Sequence, residues 1–200
     1  RISDFCARWG KSRFQWGKNI GEHEAGAEKL AQISSASYAM STMAAYGAAL
    51  SDKGGVDTRM EAAAAKLFNT ELSWQVTDIA LQFRGGRGYE TATSLKERGE
   101  EPLPLERAMR DNRINRIVEG TTDIMHLFLA REALDKHLSM AMPLFSKKAS
   151  LGQKISTLFR CGAFYSLWYP KLWLGGLFKS HRGFSGIHKK HMKWIDRRTR

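Results

Sequence analysis

The chain has 200 residues, 32 Lys and Arg against 20 Asp and Glu, and a formal net charge of +12; 42% of its residues are apolar and 26% charged. That composition is globular and excludes a disordered chain. Cys6 and Cys161 are too few for a disulfide framework, and no CxxC or His/Cys cluster has the spacing of a structural zinc site.

The charge divides the chain. Residues 1–138 hold 19 basic and 19 acidic side chains, whereas residues 139–200 hold 13 basic ones and a single acid, Asp196. Any argument from charge to nucleic acid or membrane therefore applies to the tail alone. The start at Arg1, on a charged stretch without a signal peptide, reads as a cut through a longer protein.

In chain order, Ile2, Phe5, Cys6 and Trp9 share a helical face, like the end of a helix begun upstream. Gly10, Gly17 and Gly21 mark a loop. A helix is expected from residue 22, with Leu30, Ile33, Met40, Ala44 and Gly47 on one stripe and small residues that let a neighbour approach closely. The turn chemistry of residues 51–55 ends it. The next helix, 56–83, repeats Met60, Ala63, Leu67, Thr70, Trp74, Thr77 and Leu81 at helical spacing. Asp57 suits its positive end, and the glycines of 85–88 stop it. Residues 90–101 show no periodic apolar face and are expected as a surface loop. Pro102 and Pro104 introduce a helix over 105–118. A break at 119–122 precedes a last helix over 123–140, with Ile124, Leu127, Phe128, Arg131 and Leu134 on one face. The expected fold is all-α: an antiparallel four-helix bundle with its first helix truncated (1–140), followed by a basic, aromatic-rich helical extension (141–200).

Two segments invite chemistry. Glu119 sits at a helix break after Ile117 and Val118, where partial desolvation would favour a base. Gly120 allows close approach, and Thr121 and Thr122 can cap the next helix. The same pattern also describes a solvated loop glutamate followed by a cap. Gln82 and Gly85-Gly86-Arg87-Gly88 are either a plain helix end or a backbone surface open to a phosphate-bearing ligand. They are no Rossmann fingerprint, because no strand precedes them.

Taken in order, Arg13-Phe14-Gln15-Trp16-Gly17-Lys18, Glu22-His23-Glu24-Ala25, Gln82 to Tyr89, Glu106-Arg107, Arg110-Asp111, Ile117 to Ile124 and Ala130-Arg131-Glu132 resemble the C-terminal helical domain of the acyl-CoA dehydrogenases. The resemblance covers about residues 1–138. It implies an FAD enzyme that oxidises acyl-CoA thioesters to 2-enoyl-CoA and passes electrons to electron-transferring flavoprotein. Glu119 stands at the position of the base that removes the α proton, while the β hydrogen leaves as hydride. The thioester carbonyl would be polarised by a flavin hydroxyl and by the backbone N–H of this glutamate. Arg13 matches an arginine that reaches the FAD phosphates of a neighbouring subunit, and Gln82, Gly85 and Gly86 match an adjoining cofactor contact in a homodimer or homotetramer. Thr121 and Asp123 match cofactor contacts at a helix start. Gly120 and Arg131 match the acyl-CoA side, although Arg131 also fits a structural ion pair. No metal is implied. Two departures stand out: Val118 replaces the Tyr or Phe that many relatives have before the base, and residues 90–101 lengthen a usually short link.

The tail carries its own pattern. Leu158, Phe159, Phe164, Tyr165, Leu167, Trp168, Tyr169, Leu172, Trp173, Leu174, Leu177 and Phe178 are interspersed with or followed by Arg160, Lys171, Lys179, Arg182, Lys189, Lys190 and Lys193. The uncharged stretch is too short to span a bilayer. Aromatics beside basic residues suit an anionic membrane surface, reached from a bacterial cytoplasm or a mitochondrial matrix. Packing onto the body is the plainer alternative. A basic helical module binding nucleic acid or membrane is the non-enzymatic one, although no nucleic-acid recognition motif supports it. His181, His188 and His191 are expected as surface histidines.

Overall fold

The computed structural model describes residues 1–175, 181 and 183–198, and the chain falls into two units, Arg1–Glu132 and Ala133–Arg200. The first unit opens with α1 (Ile2–Ser12). A hairpin follows, β1 (Phe14–Gln15) and β2 (Lys18–Asn19), then α2 (Glu24–Lys53), α3 (Arg59–Arg84), α4 (Ala92–Glu97) and α5 (Leu105–Asn115). Helix α6 runs from Thr122 to Phe145.

Helices α2 and α3, joined by a short turn, pack along each other; α5 lies on α3, and α1 closes onto both α2 and α3. The core draws Phe5 and Cys6 from α1, Ile33 and Ala36 from α2, Val76, Ala80 and Phe83 from α3, and Leu105 from α5. Ile33, Ala80 and Leu105 are fully buried, and each large aliphatic side chain so placed contributes about 1.5–3 kcal/mol. Ala36 meets the expectation that small residues of α2 let a neighbour approach closely, whereas Ala44, on the expected stripe, is exposed, as are Ala45 and Ala48. Gly10 does not break a helix. It lies inside α1, where a Cβ would sit 3.1 Å from Leu30 Cδ1 and 3.3 Å from Phe83 Cζ. The glycine is there for packing.

The β1–β2 hairpin pairs Phe14 with Asn19 and Gln15 with Lys18. Its two loop residues, Trp16 and Gly17, have φ of 49° and 83°, the doubly left-handed turn that matches strand twist. Strands of two residues are too short to leave an alternating pattern in a sequence.

Residues 90–101 are not a loop. Thr91 caps α4 by accepting from the Ser94 N–H at 3.3 Å, and Leu95 is fully buried. A helix of little more than one turn needs only one apolar anchor, which periodicity cannot register. Helix α5 ends at Asn115, three residues earlier than expected, in tight turns where the N–H groups of Ile117 and Val118 both reach the Ile114 carbonyl. The expected apolar face of α6 is present but uncovered: Ile124, Leu127 and Leu134 are all exposed.

In the second unit, α7 spans Leu151–Gly175 and α8 spans Gly186–Arg198. Ser150 and Gln153 cap the start of α7 reciprocally, at 3.0 and 3.3 Å. His137 hydrogen-bonds the Tyr165 hydroxyl at 2.8 Å and sits among Phe164, Tyr165 and Trp168. His181 is not a free surface histidine: it pairs with Asp196 at 2.8 Å. The other face of α7 is exposed at Leu151, Ile155, Leu158, Phe159, Tyr169 and Trp173, which at 100° per residue form a single stripe. Leu177, Phe178, Lys179 and Arg182 lie outside the described residues.

Candidate functional site: a basic cleft and a glutamate loop

At one end of the first unit lies an open cleft of about 790 Å³. The hairpin brings Arg13 and Trp16 to it, the start of α2 brings His23 and Lys29, and the end of α3 with its glycine turn brings Gln82, Gly85 and Gly86. Four of the residues singled out in the sequence, Arg13, Gln82, Gly85 and Gly86, therefore share one wall. Their convergence has local causes. Helix α3 ends where Gly85 takes φ +68°, and Gly88 packs so tightly that a Cβ would lie 2.6 Å from the Leu81 carbonyl oxygen. Gly26 admits no side chain either, because its Cβ would collide with the Ile20 carbonyl. This seats α2 directly against the 3-10 turn Ile20–Glu22 that follows the hairpin.

The cleft is basic. Arg13 and Lys29 line it and make no ion pair among the described residues. Arg84, Arg87 and Arg98 also line it, with Glu90 the acid on the wall. Arg84 is almost completely buried, with its guanidinium 4.4 Å from the Phe5 ring centre and 4.6 Å from that of Trp9. Burial draws its pKa down from the ordinary arginine value, and the Glu100 carboxylate opposes this. Glu100 accepts from Arg84 Nη2 at 2.8 Å and pairs with Arg87 Nη1 at 2.5 Å. Trp9 Nε1 and Arg84 Nε are buried beside the cleft with no hydrogen-bond partner among the described residues. Sequence reasoning missed Lys29, Arg84, Arg98 and Glu100, whose relation to the cleft exists only once the chain is folded.

The glutamate loop is elsewhere. Glu119 has φ 53° and Gly120 φ 94°, so a side-chain-bearing residue is held in the left-handed region, which costs about 1–3 kcal/mol and persists only where the surroundings impose it. They do so here: the Thr122 N–H reaches back to the Arg116 carbonyl at 3.0 Å, and Lys66 of α3 donates to the Gly120 carbonyl. Thr121 caps α6, accepting from the Ile124 N–H at 3.3 Å. Thr122 does not share that role; its hydroxyl turns to the Arg116 carbonyl. Glu119 is exposed in this chain, contrary to the expected desolvation, and Asp123 and Arg131 are exposed as well. Arg131 makes no ion pair among the described residues; its neighbour Glu132 faces Arg59 at 3.8 Å.

Lys66, which anchors this loop, and Gly85, at the cleft, are separated along α3 by a rise of about 28 Å. The sequence candidates thus form two groups, one at each half of α3. Cys6 belongs to neither: burial pushes its thiol up to about 11, and it is a core residue.

The model of the family "Acyl-CoA dehydrogenase, C-terminal domain" matches residues 1–134. The chain is 44% identical over 194 residues to the probable acyl-CoA dehydrogenase FadE10 of Mycobacterium tuberculosis, covering 96% of this chain and 30% of that protein. It therefore spans about a third of the length of this relative, and an alignment of that extent takes in most of the basic tail. Among solved structures, butyryl-CoA dehydrogenase from Megasphaera elsdenii superposes with a TM-score of 0.58 at 27% identity, over 66% of this chain and 32% of that one. The FAD complex of PigA does so with a TM-score of 0.58 at 25% identity, over the same shares. A helical core, an arginine hairpin, a glycine turn and a Glu-Gly-Thr loop, all inside the matched residues, agree with these similarities: the chain belongs to the acyl-CoA dehydrogenase family and carries its C-terminal domain.

Proposed function

We propose that this chain supplies the catalytic base and one wall of the flavin site of an FAD-dependent acyl-CoA dehydrogenase that forms 2-enoyl-CoA. The observation that carries the reading is the Glu119 loop. Its backbone is closed on both sides, its carboxylate is exposed, and its N–H donates to no acceptor among the described residues. A carboxylate and a free N–H on one fixed residue suit removal of an α proton beside a thioester carbonyl. The carboxylate takes the proton, and the N–H stabilises the charge that develops on the oxygen. Bound FAD would accept the β hydrogen as hydride. Gly120 keeps the loop free of side-chain bulk next to Met125. The family resemblance would have Thr121 and Asp123, at the α6 start, contact the cofactor and Arg131 lie on the acyl-CoA side.

The cleft fits the phosphates of the same cofactor held by a neighbouring subunit. Among the described residues Arg13 and Lys29 are cations without a carboxylate partner and two buried polar atoms beside the cleft lack hydrogen-bond partners, while the exposed Gly85 and Gly86 backbone has open space above it. The rise between the loop and the cleft along α3 supports the division between subunits in a homodimer or homotetramer. Electron-transferring flavoprotein is the proposed acceptor.

A second reading concerns residues 151–200. The exposed stripe of α7, together with the basic residues of the tail, supports attachment to an anionic membrane surface, in a bacterial cytoplasm or a mitochondrial matrix. Among the described residues no helix is long and apolar enough to cross a membrane.

The test is the visible spectrum of the full-length parent. Bound flavin that is bleached by one or more of a panel of acyl-CoAs supports the reading. A parent that folds without flavin, or whose flavin no acyl-CoA reduces, overturns it.

A further inference from the structure

Residues 90–101 join the glycine turn to the approach of α5, and the fold gives them a set of contacts. Their three best-placed acids each hold a basic residue. Glu90 accepts from Ser94 Oγ at 2.6 Å and from Arg98 Nε at 2.9 Å. Glu100 pairs with both Arg84 and Arg87. Glu101 takes both its bonds from Arg8, at 2.7 and 2.9 Å. Leu95 locks the segment to the body by full burial.

Glu100 differs from the other two in what its partners do. Arg84 and Arg87 flank Gly85-Gly86 and line the cleft, and both lie against the Trp9 ring, at 4.6 and 5.6 Å. Arg84 is buried, so its charge has no solvent to turn to if the carboxylate is lost. Arg87 is two-thirds covered and also lines the cleft. A single carboxylate thus fixes the guanidinium groups on either side of the glycine turn.

We propose that Glu100 alone is the clasp of the cofactor cleft, a positioning residue that holds Arg84 and Arg87 where an anionic diphosphate can meet the Gly85-Gly86 backbone. The proposal rests on the cleft being a flavin site, as argued above. It makes a prediction opposite in sign to simple electrostatics. A negative charge beside an anion site should repel the ligand, so its removal alone should tighten binding. Removal of a positioning carboxylate should weaken binding, because a charge-assisted contact is misplaced.

The experiment measures FAD affinity of the full-length parent by fluorescence titration for wild type, Glu100→Gln, Glu100→Asp and Glu101→Gln, with the thermal midpoint of each flavin-free protein. Glu100→Gln should bind FAD about tenfold more weakly than wild type. Glu100→Asp, which keeps the charge but withdraws it by one methylene, should also weaken binding. Glu101→Gln, whose partner Arg8 does not line the cleft, should bind as wild type does. Should Glu100→Gln fail to fold, Glu100→Asp carries the test: weaker binding at an unchanged midpoint supports the clasp. Unchanged or tighter binding in the Glu100 variants, or equal loss in Glu101→Gln, overturns it. A wild-type parent that binds no FAD overturns the cofactor reading itself, which separates the two failures.

Discussion

The proposed function concentrates its chemistry in Glu119, a residue whose backbone sits in an unfavoured region. Replacing it with Gln keeps size and polarity but removes basicity. Flavin should stay bound, while its reduction by acyl-CoA in stopped flow slows by about 10²–10⁴-fold; reduction near the wild-type rate would move the base to another carboxylate. The loop that carries Glu119 was legible because its signal is local: a helix break, a glycine and a capping threonine within four positions. Arg84 was not legible. A buried guanidinium depends on Phe5, Trp9 and Glu100, which are distant in sequence, and nothing in the string Gln82 to Tyr89 separates it from an exposed arginine. The expected desolvation of Glu119 also failed, since Ile117 and Val118 beside it are themselves exposed.

Helix placement followed from periodicity for α2 and α3, but α7 and α8 were read only as an undivided helical extension. Helices α2 and α3 lie close to their expected spans, and the buried Ala63, Leu67 and Thr77 fall on the stripe read from sequence. Helix α4 escaped because one buried leucine is no period. Leu95→Ala should cost about 2–5 kcal/mol, read as a lower denaturation midpoint. Helix starts respond to caps. Thr121→Ala should cost about 0.5–2 kcal/mol and loosen the Glu119 loop, which faster hydrogen exchange at Ile124 and Met125 would report. At the start of α3, hydrogen bonds from the Arg59 side chain and backbone hold Asp57 down at about 2. A depressed carboxylate stabilises fully above its unfolded pKa of about 4, and that contribution is lost as pH falls through about 2. Acid titration of helicity should therefore separate wild type from Asp57→Asn at neutral pH and bring them together near pH 2.

At the scale of the whole molecule the basic tail and the two halves of α3 set the expectations. Deleting residues 151–200 from the full-length parent should abolish cosedimentation with anionic vesicles and leave flavin reduction intact. Salt should weaken attachment only in part, because each basic residue adds about 1 kcal/mol by a screened attraction while the α7 stripe acts by burial. Equal failure of both proteins to bind would leave the tail as a packing surface. Arg13→Ala should lower flavin affinity by about tenfold, and more so on dilution if the cleft serves a neighbour. The separation of cleft and glutamate loop along α3 has a genetic consequence. With the site shared between subunits, lesions at the two ends of that helix fall into different active sites of one assembly. Glu119→Gln and Arg13→Ala subunits, each defective alone, would rescue each other when co-assembled, because in a mixed dimer one of the two sites draws Glu119 from one chain and Arg13 from the other. Random pairing by an isologous interface restores about a quarter of the sites, so intragenic complementation becomes a property of where α3 begins and ends.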